Sequence, residues 1–288
     1  MSSHTLQKEQ KAFAFDASIP PVLEIESGDT VTFETGDFAY ERLFKGETVE
    51  AIGLENFNAV TGPVRVKGAE AGDALKIEVV DIKVTRAWSV WLPDFGGLGK
   101  HTKEVEVKQI RLKDGRAYIS NRLSVDIKPM IGCIGVAPAK GKGSTFMPAY
   151  PYGGNMDLRE MSVGATLFLP VQVDGALLAM GDLHAAMGTA EPTWVSLEAS
   201  GSATLTITLE KNKKLKFPRL RVGTRTYCVG MADTLEKAHQ IALDEAYNLL
   251  LTERGLEPFD AYAFASAVVE MRLGGPATGI VMAVVPDF

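Results

Sequence analysis

The sequence predicts a mainly β protein, with β-sandwich-like layers and one or two helices near the C-terminus. Three observations lead to this fold class. Short segments in which apolar and polar residues alternate recur along most of the chain, and a period of two is typical of half-buried strands. Turns that contain glycine precede several of these segments. Only residues 233–255 show a clear helical pattern, so sheet packed on sheet is expected to form most of the core.

The recurring unit near the N-terminus is a turn followed by a strand. Residues 27–30 form the first turn, and the apolar residues Val31 and Phe33 then alternate with polar neighbours. The same order returns at residues 71–74 and again at residues 163–166. This recurrence suits a protein built from β layers, although it is too degenerate to prove a duplication.

The segments between these strands are less regular. Residues 37–57 are expected to form a loop with a short helix around residues 47–54. Further on, Trp88, Trp91 and Phe95 lie beside a glycine-rich loop. Such a loop can cover a small-molecule pocket, but large aromatic side chains more often fill a core. The tryptophans are therefore expected to pack one end of the sandwich.

The second half of the chain continues with strands. Residues 130–138 read as a buried run, in which Gly132 and Gly135 permit a close approach of the backbone. Residues 194–198 and 204–209 alternate as two further strands.

The helical pattern begins at Asp233, which stands three residues before Glu236 as in a capping box. Gly255 is expected to end this helix, and a shorter helix is expected at residues 259–269. An apolar strand at residues 279–285 completes the chain.

Length and composition are those of an ordinary globular protein. The 288 residues, 46% of them hydrophobic and 23% charged, suit one β-rich unit over residues 1–288. A subdivision at residues 1–130 and 131–288 is the alternative. The formal net charge of −6 argues against a nucleic-acid partner.

Cysteine usage and apolar runs indicate the compartment. The two cysteines, Cys133 and Cys228, both lie in apolar contexts, so no disulfide framework is expected. The sequence shows neither the pattern of a signal peptide nor an apolar run of membrane-spanning length. A cytoplasmic protein without a membrane partner is expected.

A predicted hairpin places two polar residues, Asp182 and His184, at the end of its second arm. Asp174 and Gly175 separate two apolar segments, and an Asp-Gly pair favours a two-residue turn. The second arm of the hairpin ends with Asp182 and His184. Residues two apart in a strand point to the same face, so this carboxylate and this imidazole are expected to project together.

The first arm of the same hairpin begins shortly after Asp157 and Glu160. The hairpin is therefore expected to bring these carboxylates back beside Asp182 and His184. Several carboxylates and one imidazole on a β scaffold suit a hydrolytic metal site.

Two blocks of the sequence resemble the signature blocks of the acetamidase/formamidase family. They are Gly-Gly-Asn-Met-Asp-Leu-Arg-Glu at residues 153–160 and Gly-Asp-Leu-His-Ala-Ala-Met-Gly at residues 181–188. Further matches in the family's order run over nearly the whole chain, at residues 20–23 and 27–31, 61–64 and 72–73, and 134–138. The family's structures are based on a β-sandwich, in agreement with the fold class predicted from the residues.

The resemblance implies a metal-dependent hydrolase and assigns residues to its site. Asp157, Asp182, His184 and Glu191 become the candidate metal ligands. Glu160 or Glu191 becomes the general base and acid, and Arg159 pairs with a carboxylate or orients the carbonyl oxygen of the substrate. The expected substrate is a short aliphatic amide such as formamide or acetamide, and peptides are not expected to be cut.

Glu191 stands in a block that departs from the family pattern. The family often has Gly-Asp-Gly-Glu there, whereas residues 188–191 read Gly-Thr-Ala-Glu. The change keeps one acidic side chain but removes another, and it removes a glycine and with it some loop freedom.

The chemistry of amides explains why a metal ion is expected. An amide carbonyl is a poor electrophile and its nitrogen is a poor leaving group, so hydrolysis needs an activated water and a polarised carbonyl. A divalent ion supplies both, since it lowers the pKa of a bound water to about 7. Zinc is the expected ion, and calcium is the alternative.

Rival catalytic schemes fit less well. No Gly-x-Ser-x-Gly segment is present, and Cys133 and Cys228 resemble small buried residues more than nucleophiles. The alternative from another class is a non-catalytic β-sandwich protein that binds a small ligand or a sugar on Trp88, Trp91 and Trp194. In either case a homo-oligomer, most simply a dimer, is expected.

Overall fold

The computed structural model describes residues 1–147, 150–276 and 279–288, and strands dominate its regular structure. The N-terminal strands are β1 (Ser3–Leu6), β2 (Lys11–Ala12), β3 (Ala14–Asp16), β4 (Leu23–Ile25), β5 (Asp29–Thr35), β6 (Val60–Val66) and β7 (Ala74–Trp91). The middle strands are β8 (Glu106–Lys113), β9 (Arg116–Tyr118), β10 (Ser124–Asp126), β11 (Met130–Gly135), β12 (Lys142–Ser144), β13 (Gly153–Asn155), β14 (Thr166–Pro170) and β15 (Leu178–Ala186). The last strands are β16 (Leu197–Glu210), β17 (Arg219–Val222), β18 (Arg225–Met231), β19 (Glu270–Gly274) and β20 (Ile280–Pro286).

Helices are few and short except for one. Within the described residues they are α1 (Phe38–Phe44), α2 (Val49–Ile52), α3 (Leu235–Thr252) and α4 (Pro258–Val268). Two 3-10 turns lie at Leu54–Asn56 and Gly99–His101. The prediction of a mainly β protein with helices near the C-terminus is confirmed.

The long strands β7 and β16 hold the large, mainly antiparallel sheet together. They pair from Trp88 opposite Glu198 to Ala74 opposite Glu210. The other edge of β16 pairs with β5 and, at its start, with β15. Alternation explains β5, because every second residue is buried while the threonines between them hydrogen-bond across to β16 (Thr32 to Thr204, 2.9 Å).

The predicted turns before β5 and β7 share one device. Asp29 accepts a hydrogen bond from the backbone N–H of Glu26 at 3.1 Å. Asp73 accepts one from the backbone N–H of Glu70 at 2.8 Å. In both cases the carboxylate closes the turn and the strand begins beside it, which is the local role that aspartate commonly takes.

The predicted C-terminal helix is present as α3, with a different cap. Thr234 is extended and its hydroxyl accepts the Lys237 N–H, so Asp233 lies outside the helix and pairs with the Lys237 ammonium at 2.9 Å. Leu235 is exposed, because the face that packs on β18 and β20 begins later. The buried residues of that face are Ala238, Ala242, Ala246, Leu249 and Leu250.

The hairpin predicted around Asp174 and Gly175 is wrong. Strand β14 pairs with β7 and β17, and β15 pairs with β6, β11 and β16. The connection is not a two-residue turn but a longer loop tied to other segments. Gly175 N–H donates to Ala69 O at 2.8 Å, Ala137 N–H donates to Ala176 O at 3.0 Å, and Asp174 pairs with Arg65.

Two smaller expectations also need correction. The segment at residues 37–57 holds α1 and α2 rather than one helix in a loop. The strands expected at residues 194–198 and 204–209 are one continuous strand, β16. Trp194 lies before it with a positive φ of 59°, which lies outside the ordinary range of extended backbone.

None of the helices among the described residues combines the length and the apolar character that crossing a membrane requires.

Candidate active site

Strand β11 brings the first two parts of the site together. It lies between β13 and β15, with Cys133 opposite both Asn155 and Gly181. Asp157 follows β13, while Asp182 and His184 belong to β15. The three side chains therefore meet across β11, and the expectation that Asp182 and His184 project together agrees with their separation of 3.6 Å.

Gly132 is the position on β11 that makes this meeting geometrically feasible. A Cβ atom there would lie 2.6 Å from Asp157 Oδ1 and 2.8 Å from Asp182 Oδ2. Both distances are shorter than ordinary non-bonded contacts between carbon and oxygen. The sequence predicts a close approach of the backbone at this glycine. In the structure the approaching atoms are two carboxylate oxygens and the backbone carbonyl oxygen of Asp182, at 2.8 Å.

His184 lies at the centre of four carboxylates. Its Nε2 is 3.6 Å from Asp157 Oδ1, from Asp182 Oδ1 and from Glu198 Oε2. Its Nδ1 is 4.0 Å from Glu191 Oε1. These side chains are only 1–5% exposed, yet all four distances exceed those of a hydrogen bond. The imidazole and the four carboxylates thus pack closely together, but the imidazole forms no hydrogen bond with any of them.

Glu198 is the member that sequence reasoning missed. It lies near the start of β16, opposite His184 in register. The hydroxyl of Tyr40 donates to its Oε2 at 3.1 Å, and the backbone N–H of Ser196 donates to its Oε1 at 2.8 Å. The signal available in the sequence was a single acidic residue between the apolar residues Leu197 and Ala199. A charged side chain is rarely buried in a strand unless it has a partner.

Burial and the neighbouring charges shift the pKa values of three carboxyl groups of the cluster and of its imidazole. Burial raises the pKa of Asp157 to about 8, against the opposing effect of His184. Burial also raises the pKa of Glu198 to about 7 and the pKa of Glu191 well above its usual value. Burial alone would lower the pKa of His184, but Glu198 and Asp182 outweigh it and raise that pKa well above the usual range.

Several residues of the site have strained backbones. Asp157, Asp182 and Glu191 have φ values of 44°, 56° and 39°, although side chains with a Cβ atom rarely adopt positive φ. Ala190, in the block that departs from the family pattern, has a φ of 64°. Strain of this kind concentrates at functional sites, where the surrounding structure maintains it.

The cluster forms the polar end of a chamber of about 160 Å³. The opposite wall is aromatic: the ring of Phe95 lies 6.1 Å from that of Phe146 and 5.4 Å from that of Trp194. Among the described residues that line this chamber there is no lysine or arginine. The described residues that line it are Tyr40, Leu54, Phe57, Asn58, Val90, Leu92, Phe95, Phe146, Met147, Asn155, Asp157, Asp182, His184, Glu191, Trp194, Val195, Glu198 and Pro276.

The tryptophans do not form one surface. Trp88 is 2% exposed and donates from its indole N–H to Asp37 at 2.6 Å. Trp91 is 39% exposed and bonds to Leu98 O at 3.1 Å. Only Trp194 lines the chamber, so the stacking surface expected of a sugar-binding protein is not present.

Glu160 and Arg159 do not line the chamber. The carboxylate of Glu160 lies 3.7 Å from Arg272 Nη1. Arg159 is exposed and lines a separate, larger cleft of about 1120 Å³. Glu191 borders both the cleft and the chamber.

The donor set of the cluster fits a divalent cation. Two overlapping groups have their ligand atoms within 4.8 Å of one another: Asp157 with His184 and Glu191, and Asp182 with His184 and Glu198. Both carboxylate oxygens of Asp157 and the Nδ1 of His184 are buried without a hydrogen-bond partner among the described residues. Buried polar atoms normally have partners, and oxygen and imidazole donors are ligands of zinc and other divalent ions.

Comparisons with known proteins agree with the geometry. The structure of an acetamidase from Bacillus halodurans superposes with a TM-score of 0.91 at 31% identity, over 98% of this chain and 97% of that one. A predicted acetamidase/formamidase from the thermophile Thermoanaerobacter tengcongensis gives a TM-score of 0.93 at 29% identity, over 99% and 96% of the two chains.

Curated relatives are more distant. A formamidase of Methylophilus methylotrophus is 20% identical over 261 residues, which is 69% of this chain and 64% of that protein. The chain thus spans less than two thirds of the length of the curated relatives that it matches. The sequence profile of the acetamidase/formamidase family matches residues 2–141 and 139–283. The chain therefore belongs to the acetamidase/formamidase family.

Proposed function

We propose that the protein hydrolyses a short aliphatic amide, of the size of formamide or acetamide, to a carboxylate and ammonia. The observation that carries this proposal is the buried cluster of four carboxylates and one imidazole that opens into a small chamber. Family membership supports amide hydrolysis. The substrate and the requirement for a metal are inferred from the site.

Asp157, Asp182, His184 and Glu198 are the residues proposed to hold a divalent cation, with zinc as the first candidate and calcium as the second. Tyr40 and Ser196 fix the carboxylate of Glu198, and Asn58 donates to Asp182 Oδ2 at 3.0 Å. Bonds of this kind to ligand carboxylates hold them in place. When bound, the cation supplies an activated water and polarises the amide carbonyl.

Glu191 is proposed to move the proton. Its carboxylate accepts no hydrogen bond from the described residues, and it borders both the chamber and the outer cleft. In the reaction, water loses a proton as its oxygen bonds to the carbonyl carbon, and the nitrogen gains a proton as the C–N bond breaks. Glu191 Oε1 can accept the first proton and donate the second, because its pKa is raised. Glu160, the alternative from the sequence, lies beside Arg272 instead.

The chamber explains the proposed substrate size. Pockets for drug-sized ligands are about 300–1,000 Å³, whereas this chamber is about 160 Å³. Its apolar wall of Phe95, Phe146 and Trp194 suits a short alkyl group rather than a peptide chain. The cytoplasmic location and the dimer stay predictions.

Ammonia release from formamide, acetamide and butyramide, with and without a chelator, tests the proposal. We expect the chelator to stop the release and zinc to restore it. Glu191→Gln should lose a factor of about 10² to 10⁴ in rate with its metal retained. Asp157→Asn should lose metal affinity and recover partly in excess zinc, because mass action refills a weakened site.

Two outcomes contradict the proposal in different ways. No ammonia from any of these amides, with zinc bound, overturns the activity and leaves a binding protein. A large loss in Glu160→Gln together with wild-type turnover in Glu191→Gln instead returns the proton transfer to Glu160.

A further inference from the structure

Asn155 is a buried polar residue that the hydrolytic scheme does not use. It is the last residue of β13, is 6% exposed and lines the chamber. Its Oδ1 is buried without a hydrogen-bond partner among the described residues. An unpaired acceptor of this kind in a folded protein calls for an explanation, and here it belongs to a residue that lines the chamber proposed to receive the substrate.

The orientation of the Asn155 side chain follows from its other bond. The Nδ2 of Asn155 donates to the backbone carbonyl of Phe146 at 3.1 Å. A carbonyl oxygen only accepts, so the carboxamide cannot be turned around without placing two acceptors against each other. The carbonyl end of Asn155 is therefore the free end.

We propose that Asn155 Oδ1 accepts a hydrogen bond from the N–H of the substrate amide, so that this residue selects primary amides over esters of the same acyl group. This inference rests on the proposed function and names the atom that recognises the nitrogen of the substrate. The amide nitrogen is the feature that distinguishes acetamide from an acetate ester, and its N–H groups are donors that the ester lacks.

A carboxamide oxygen suits this role better than another carboxylate. It is a neutral acceptor, so it does not add to the negative charge of Asp157, Asp182 and their neighbours. It also has no proton to exchange with the leaving nitrogen near neutral pH. Asn155 is thus a specificity-determining residue that contacts the substrate, distinct from the groups that move protons.

The Asn155→Leu variant in the zinc-loaded protein tests this assignment, because leucine has nearly the shape of asparagine without its acceptor. For acetamide, we expect kcat/KM to fall about 10- to 100-fold, equivalent to about 1.4–2.7 kcal/mol. For methyl acetate, which presents no N–H, we expect a change of no more than about 2-fold. Bound zinc and Tm are measured on the same sample.

The control variant is Ser144→Ala. Ser144 Oγ accepts from the backbone N–H groups of Phe146 and Met147 at 3.1 and 2.9 Å. Its loss disturbs the segment that anchors Asn155, without touching the acceptor itself. We expect the ratio of amide to ester turnover in Ser144→Ala to stay at the wild-type value.

Binding provides a second readout that does not need turnover. Ligand-observed NMR of acetamide and methyl acetate is recorded on the wild type and on Asn155→Leu. A selective weakening of acetamide binding in Asn155→Leu supports the assignment even if the wild type releases no ammonia. In that case only the proposed function fails.

Three results overturn the inference about Asn155. The first is an equal loss of kcat/KM for acetamide and for methyl acetate in Asn155→Leu, which shows that the residue has a structural role. The second is an amide-to-ester ratio that falls in Ser144→Ala as much as in Asn155→Leu. The third is acetamide binding or turnover that does not differ between the wild type and Asn155→Leu, including the case in which neither protein binds acetamide.

Discussion

Gly132→Ala adds one methyl group behind the site and is the sharpest test of how the carboxylates are held. The added Cβ would lie 2.6 Å from Asp157 Oδ1, 2.8 Å from Asp182 Oδ2 and 2.8 Å from Asp182 O. Non-bonded carbon and oxygen atoms are usually at least about 3.3 Å apart, so these atoms must move by about 0.5–0.7 Å. The φ of Gly132 is not in the left-handed region, so the substitution adds no left-handed backbone strain and the contact is its main unfavourable effect.

The size of this displacement sets the expected loss. Functional groups need to be held within about 0.5 Å of their working geometry, so both carboxylates leave it. We expect the proposed zinc affinity to fall about 10- to 100-fold, the loss typical of changes that disturb how metal ligands are held. Overfilling a packed interior costs about 1–3 kcal/mol, which lowers Tm by about 2–12 °C in a chain of this size.

Gly230→Ala is the matched control. Its Cβ would lie 2.1 Å from Ala238 O and 2.5 Å from Ala242 N, so it strains the packing of α3 on β18, away from the chamber. We expect a loss of Tm at least as large, with unchanged zinc affinity. Zinc competition against a chromophoric chelator and thermal unfolding measure the two effects separately.

The reasoning is refuted if Gly132→Ala binds zinc and hydrolyses acetamide with wild-type constants. It is also refuted if Gly230→Ala loses zinc affinity to the same extent, since general destabilisation would then explain both variants.

Two further predictions concern residues outside the carboxylate cluster around His184. Asp287 pairs with Arg221 and Arg254, and these two arginines lower the pKa of its carboxyl group to about 2. The ion pairs therefore stabilise the fold fully above the unfolded pKa of about 3.9, and this stabilisation is lost as the pH falls toward 2. Asp287→Asn should lower the free energy of unfolding at pH 7 by only about 1 kcal/mol, because solvent screens these partly exposed ion pairs. The difference in Tm between the variant and the wild type should shrink below about pH 4. A constant difference down to pH 2 would contradict this prediction. Ala190→Gly should leave Tm unchanged or raise it by up to about 3 °C, because relief of the positive φ outweighs the added freedom of the unfolded chain. A fall in Tm of more than about 2 °C in Ala190→Gly would show that the strain estimate is wrong.

Local patterns determined much of this protein. Alternation in β5 and β7 identifies strands, because in-facing and out-facing side chains meet different surroundings whichever strand is the neighbour. The turn chemistry of Asp29 and Asp73 acts within three residues, and the apolar stripe of α3 acts within a few turns. The placement of Asp182 beside His184 has the same origin, since a spacing of two within one strand fixes a shared face.

Pairing between strands was decided only by the tertiary structure. The pattern of β14 and β15 is compatible with a hairpin, yet each strand pairs elsewhere, since alternation identifies a face but not a partner. Asp157 reaches the site across β11 rather than around a turn. Glu160, three residues later, lies beside Arg272 instead.

The members of the site most distant in sequence could not be predicted from local pattern. Tyr40 and Glu198 are 158 residues apart and hydrogen-bonded, and neither lies in a motif. The pairing of β16 with β15 places Glu198 opposite His184, and only that long-range register makes it part of the cluster. The sequence by itself thus determined the strands, the turns and the pair of Asp182 and His184. The tertiary structure decided which carboxylates surround the imidazole, because long-range strand pairing depends on the fit of whole surfaces rather than on neighbouring residues.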